Sequence, residues 1–285
     1  MAEVSASMVK ELREMTGAGI LECKNALADA DGDLDRAADI LREQGIAKVV
    51  KKAGRATNEG TVVALVAEDG KSGSVIQLNC ETDFVAINEK FKAYADRIAQ
   101  VALASQANDV DTLKAASDGS ETVDEIVTDC VRVMGENTQL SRVASVSADG
   151  VCAYIHMGGK IGVLVTFETD VDPTSDAFVA YGRDVAMQVA AMSPVAANRE
   201  NVAEDVVAHE IEIYKAQAAE SGKPEEIQQK MAEGRLEKFY KENCLTEQEF
   251  VKNPDQTIKD YTEAVAKELG GSIRVVDFIR FALGE

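Results

Sequence analysis

Asn79-Cys80-Glu81-Thr82-Asp83-Phe84-Val85 is the stretch whose reading decides the fold. Val75-Ile76-Gln77-Leu78 before it reads as a buried strand, and residues 91–104 after it carry a helical pattern. The stretch is therefore a turn where a strand ends and a helix is about to begin. Thr82 and Asp83 are residues that accept hydrogen bonds from the free backbone N–H groups of such a turn. Phe84 fits less easily. A large apolar side chain beside two carboxylates either tucks back or waits for a partner. Burial statistics alone send it to the core.

A second copy of the pattern weighs against the core. Glu168-Thr169-Asp170 repeats Glu81-Thr82-Asp83 at an offset of 87 residues, and the same offset relates Phe91 to Phe178, Tyr94 to Tyr181, Ile98 to Val185 and Ala99 to Ala186. Each copy has two apolar runs joined by a glycine-bearing turn, then the Glu-Thr-Asp turn, then a helix. This is the pattern of a duplicated unit of strands plus a helix. What both copies keep serves the fold; what differs is a candidate for function. Phe84 has Val171 as its counterpart. Phe84, with Asp83 beside it, is thus the first functional candidate.

The chain has 285 residues, 46% of them hydrophobic, enough for one large or two ordinary cores. No apolar run approaches the roughly 20 residues that span a bilayer, and the first residues lack the basic and apolar segments of a signal peptide. Cys23, Cys80, Cys130, Cys152 and Cys244 are scattered, with no Cys-x-x-Cys pair. They read as reduced, mostly buried thiols of a cytoplasmic protein. A net charge of −20 with a pI near 4.6 makes phosphate-gripping contact with nucleic acid a poor expectation.

Residues 1–47 show three short helical patterns, broken at Thr16-Gly17-Ala18-Gly19 and Asp31-Gly32-Asp33, the third stopping near Gly45. The first break lacks the strand and the Lys-Ser/Thr of a phosphate loop. The second has Leu34 where a calcium loop needs glycine. Lys48, Lys51, Lys52 and Arg55 read as a solvated helix end and linker, with an acidic partner surface as the sharper alternative. Strands are expected at 61–67, 73–80, 140–147, 151–156, 161–167 and 273–281, and helices at 123–134 and 257–269. Residues 202–219 and 224–240 read as an inserted antiparallel helical arm with Ser221-Gly222-Lys223-Pro224 as its turn. An arm that cannot bury both faces packs on another subunit or a partner. Residues 245–251 read as a loop. His156 reads as a structural histidine or a partner contact, because His209 is far off in a helix and no cysteine pair is near. No nucleophile–base set is suggested. The Glu81–Asp83 pair has no pocket around it, and carboxylates would raise the Cys80 pKa. The residues themselves point away from an enzyme and name no cofactor and no metal site.

Several separated motifs, in order, resemble the bacterial elongation factor Ts family. They are Lys10-Glu11-Leu12-Arg13 with Thr16-Gly17-Ala18-Gly19 and Cys23-Lys24, then Asn79 through Val85, Gly162-Val163-Leu164-Val165, Ser221-Gly222-Lys223-Pro224 and Phe278-Ile279-Arg280-Phe281. The resemblance implies an α+β protein. Residues 1–55 would form a ubiquitin-associated-like three-helix domain, 56–147 the first repeat subdomain of the core, 148–200 with 242–285 the second, and 201–241 a coiled-coil arm. It implies a guanine-nucleotide exchange factor for elongation factor Tu, in its GDP-bound and nucleotide-free states. Thr82, Asp83, Phe84 and Val85 would enter that partner near its magnesium. Arg13, Ile20, Leu21 and Lys24 would make the N-terminal contacts, and Met134, Gly135 and His156 the core contacts. Phe250 and Val251 match a further contact segment. The chain stops at Gly284-Glu285, where some relatives carry a further helical module. A homodimer or a heterotetramer through the core or arm stays open. A non-catalytic scaffold using the helices and the arm is the rival expectation.

Overall fold

The computed structural model describes residues 4–16, 18–52, 54–220 and 222–285, and the backbone alone over 45–51. Gly17 and Ser221, each part of a turn motif above, lie outside the described residues, as do the side chains of Lys48 and Lys51. The chain divides into two compact units. One comprises Met1–Val63, Ile76–Val143 and Leu283–Glu285; the other comprises Ala64–Val75 and Ala144–Ala282.

The first unit opens with α1 (Ala6–Thr16), α2 (Ile20–Asp29) and α3 (Leu34–Lys52). Leu12, Cys23, Ala26, Leu27, Ala37 and Leu41 are buried together at their centre. The third helix does not stop at Gly45 but runs on to Lys52. One interior glycine costs a helix only about 1 kcal/mol, which the flanking turns absorb. Lys52 is therefore the last residue of the helix, the helix end expected of this basic run.

Then come β1 (Glu59–Val66), β2 (Ser72–Cys80), the one-turn α4 (Asp83–Ala86), α5 (Glu89–Ser105), α6 (Val110–Ala115), α7 (Val123–Met134) and β3 (Thr138–Ser147). Helix α5 buries Phe91, Ala95, Ile98, Ala99 and Ala102, a spacing that keeps one face inward. Helix α7 buries Val123, Ile126, Val127, Cys130 and Val131. It begins with a Thr122–Glu125 capping box and ends on Gly135 at φ 77°, a left-handed position that favours glycine.

The rest of the chain supplies β4 (Gly150–His156), β5 (Ile161–Thr169), α8 (Asp176–Met192), α9 (Glu204–Ala219), α10 (Glu225–Asn243), β6 (Glu249–Phe250), β7 (Asn253–Thr257), α11 (Ile258–Leu269) and β8 (Ile273–Ala282). One three-stranded sheet has the order β1-β2-β3, a second the order β4-β5-β8, and β6 with β7 forms a short ribbon. In the second sheet β5 pairs antiparallel with both neighbours, with an irregularity at Thr166/Phe167 against β8. The fold is α+β. Its second core gathers Phe167, Phe178, Tyr181, Val185 and Phe250. Gly182 lies where a Cβ would fall 2.1 Å from the Cys152 sulfur, so α8 approaches β4 closely only because that position is glycine.

Residues 245–251, expected as a loop, instead hold a 3-10 turn at Leu245–Glu247 and the strand β6. In the arm, Val206, Tyr214 and Leu236 pack with Phe239, and Ile227 is exposed. Arg199 braces the arm's base: it ion-pairs with Glu237 at 2.8 Å, with Glu247, and lies over the Tyr240 ring at 4.7 Å. All five cysteines are free and buried. Among the described residues no helix is long and apolar enough to cross a membrane.

Candidate functional site

The Glu81–Val85 segment leaves the C-terminal end of β2 and turns at once into α4. Thr82 is the N-cap: its backbone is extended and its Oγ1 accepts from the Val85 N–H at 3.4 Å. Asp83, expected to share that role, instead occupies the first helical position with its side chain exposed. Phe84 is 78% exposed, and Ile87, three residues on, is 67% exposed. Three residues is close to one helical turn, so both project from one face of the turn. Burial statistics for phenylalanine do not hold here.

The base of this projection is a reciprocal clamp between two Glu-centred turns. Glu136 Oε2 accepts from the backbone N–H groups of Glu81 (3.2 Å) and Thr82 (3.0 Å), and its Oε1 accepts from the Thr82 hydroxyl at 2.6 Å. In return Glu81 Oε1 accepts from the Asn137 N–H at 2.6 Å. The Asn137 amide donates to the Arg55 carbonyl at 2.8 Å, and the Arg55 guanidinium reaches Glu81 at 3.4 Å. Hydrogen bonds to an ionised acceptor are about twice as strong as neutral ones. Glu81 is thus occupied in holding backbone, which removes it from the acid–base pair considered with Asp83. Cys80 is inert as a nucleophile. Burial first, and then the nearby Glu136 carboxylate, push its thiol up to about 12.

The clamp brings Met134 and Gly135 to the same place, because Glu136 and Asn137 follow them directly. Lys52, at the end of α3, donates from Nζ to the Gly135 carbonyl. Two further links tie the three-helix module to α7: Arg132 donates to the Thr16 carbonyl, and Arg42 pairs with Glu125. On that module Arg13 and Lys24 are exposed, Ile20 is 60% exposed and Leu21 71% exposed.

In the second unit His156 ends β4, half-buried, with Nδ1 3.1 Å from the Tyr154 hydroxyl. Met157 beside it is exposed. Phe250, expected as a contact residue, requires correction. It is 3% exposed and stacks on Tyr261 at 4.7 Å, so its ring is a core element; Val251 is the exposed member of the pair. Among the described residues no group of three or more His, Cys, Asp or Glu is arranged to hold a metal ion.

Sequence reasoning missed Glu136, Asn137 and Ile87. Glu136 carried a usable signal. An acid just past a helix C-terminus faces the negative end of the helix dipole, so it needs some other employment.

Fold and site together define an α+β protein that holds one apolar side chain, Phe84, out on a short helical turn braced by Glu136. Residues 81–285 match the family model for elongation factor Ts. Proteins named elongation factor Ts from Clostridium botulinum are similar over almost the whole chain. That of strain ATCC 19397 is 45% identical over 287 residues, covering 99% of this chain and 93% of the relative. That of strain Loch Maree is 46% identical with the same coverage. The chain belongs to the elongation factor Ts family, whose members are translation elongation factors.

Proposed function

We propose that the protein is a guanine-nucleotide exchange factor for elongation factor Tu that acts by contact, not by chemistry of its own. The observation that carries this reading is Phe84. It is 78% exposed on a braced helical turn in a chain of this family. Exposed apolar surface on a rigid base is suited to entering a partner. In this reading Thr82, Asp83, Phe84 and Val85 enter the partner near its magnesium. Phe84 wedges between partner helices and Asp83 disturbs the metal's surroundings. Loss of the charge that holds the diphosphate lets GDP leave.

The wedge does not act alone. Driving a partner from mostly closed to mostly open takes about 5.5 kcal/mol of differential binding. Burying one phenylalanine supplies about 1.5–3 kcal/mol. The remainder falls to Arg13, Ile20, Leu21 and Lys24 on the helical module, and to Met134, Gly135, His156 and Val251. Linkage is reciprocal, so GDP weakens this protein's binding by the factor by which this protein weakens GDP's.

The test is release of a fluorescent GDP from elongation factor Tu with a substoichiometric amount of this protein. Acceleration that Phe84→Ala removes, with the fold intact, is the expected result. No acceleration from a folded sample would leave the scaffold reading in its place.

A further inference from the structure

We infer that Glu136 is the positioning residue that holds Phe84 out for its partner; this rests on the exchange reading above. An exposed phenylalanine gains by folding back onto apolar surface, so a structural cause must keep it out. One carboxylate supplies that cause. Glu136 fixes the backbone of Glu81 and Thr82 through Oε2, and the Thr82 hydroxyl through Oε1 at 2.6 Å. With its proton directed at Glu136, the same hydroxyl presents a lone pair to the Val85 N–H. The start of α4, and with it the direction of Phe84, is thereby set from Glu136.

The second repeat gives an independent comparison. Helix α7 ends on Gly135 at φ 77°, then Glu136 and Asn137 lead into β3. Helix α11 ends on Gly270 at φ 72°, then Gly271 and Ser272 lead into β8. Glu136 therefore corresponds to Gly271. There the turn does fold back. A Cβ on Gly271 would lie 2.5 Å from Asp170 Oδ1 and 2.7 Å from Val171 Cγ2, and Val171 packs on the core. Where the glutamate is present the apolar residue stands out; where glycine replaces it the apolar residue turns in.

Glu136→Gln is the direct test, because each carboxylate oxygen faces a donor and an amide nitrogen cannot accept. Four proteins are compared in fluorescent-GDP release from elongation factor Tu: wild type, Glu136→Gln, Phe84→Ala and the double variant. Glu136→Gln is expected to slow release at saturation about tenfold, the scale of stranded half-buried donors. The half-saturating concentration should hardly move, and the melting temperature should fall by no more than a few degrees, the stability equivalent of the stranded donors. The double variant should be no slower than Phe84→Ala, since Glu136 acts through Phe84. Glu136→Asp, which keeps the charge but draws both oxygens back by one methylene from the Glu81 and Thr82 donors, should show the same loss and the same non-additivity with Phe84→Ala; it decides the matter if Glu136→Gln fails to fold. Wild-type release by Glu136→Gln, or a full further loss in the Phe84→Ala background, would overturn the positioning role while leaving the exchange reading intact. Wild-type release by Phe84→Ala would instead sink the contact itself, and Glu136's role with it.

Discussion

The two repeats share a frame and differ at one tip. Helix α5 spans Glu89–Ser105 and α8 spans Asp176–Met192, so both ends keep the offset of 87 residues. Asn88 caps the first and Ser175 the second. Both helices end on a non-glycine residue in the left-handed conformation, Gln106 at φ 52° and Ser193 at φ 46°. The Glu-Thr-Asp turns also do comparable work. Glu81 accepts from the N–H of Asn137, just before β3, and Asp170 accepts from the N–H of Ser272, just before β8, each at 2.6 Å. Beyond that point they part. The first copy winds into α4 and exposes Phe84. The second closes on itself, with Asp172 Oδ1 accepting from the Thr174 N–H at 2.9 Å, and buries part of Val171. A duplicated scaffold thus closes one turn on itself and leaves the phenylalanine of the other exposed.

Breaking the shared frame should have the largest effect. Gly182 corresponds to Ala95 in the first copy, and only the α8 position faces a sulfur at 2.1 Å from an added Cβ. Gly182→Ala is expected to cost about 3 kcal/mol, the upper range for overpacking a core. Cys152→Ala in that background should recover only part of it, because the Cys152 Cβ also lies close, at 2.6 Å. Urea unfolding measures both. A neutral Gly182→Ala would mean that α8 shifts freely on its sheet.

The tips themselves come next. Phe84→Ala should slow GDP release from elongation factor Tu about ten- to a hundredfold, the equivalent of one buried phenylalanine. It should leave stability within about 0.5 kcal/mol, as for other surface changes. Val171→Ala should do the reverse, costing about 1 kcal/mol of stability and leaving release unchanged. Equal effects on both measurements would erase the distinction between the repeats.

Much of this frame was legible because its signals are local or periodic. The offset between Phe91 and Phe178 needs no long-range knowledge, and the apolar spacing of α7 marks one inward face. The parts that were not legible depend on contacts across the chain. Residues 245–251 look polar and short. What orders them includes Phe250 finding Tyr261 and the Gln188 amide donating to the Glu249 carbonyl at 3.1 Å. The extension of α3 through Gly45 opposes a local stop signal, which a propensity of about 1 kcal/mol cannot enforce. The exposure of Phe84 was suggested by comparison with Val171, yet its cause, Glu136, lies more than fifty residues away in the sequence.

The smallest expected effect separates the turns by acid. Hydrogen bonding from the Ser272 backbone, first, lowers the Asp170 pKa from its ordinary 3.8; pairing with Arg274, first, lowers that of Glu168 from 4.5. A carboxylate with a depressed folded pKa stabilises the fold above its unfolded value. That contribution fades as pH falls through the folded value, once the native state also takes up the proton. Asp170→Asn should therefore melt below wild type near about pH 7, and the gap should narrow once pH falls below about 4. Both groups are exposed to solvent, so the gap should also shrink with added salt. Thermal melts across that range decide it. A gap that stays constant into acid would show that Asp170 holds Ser272 by shape alone, without need of its charge.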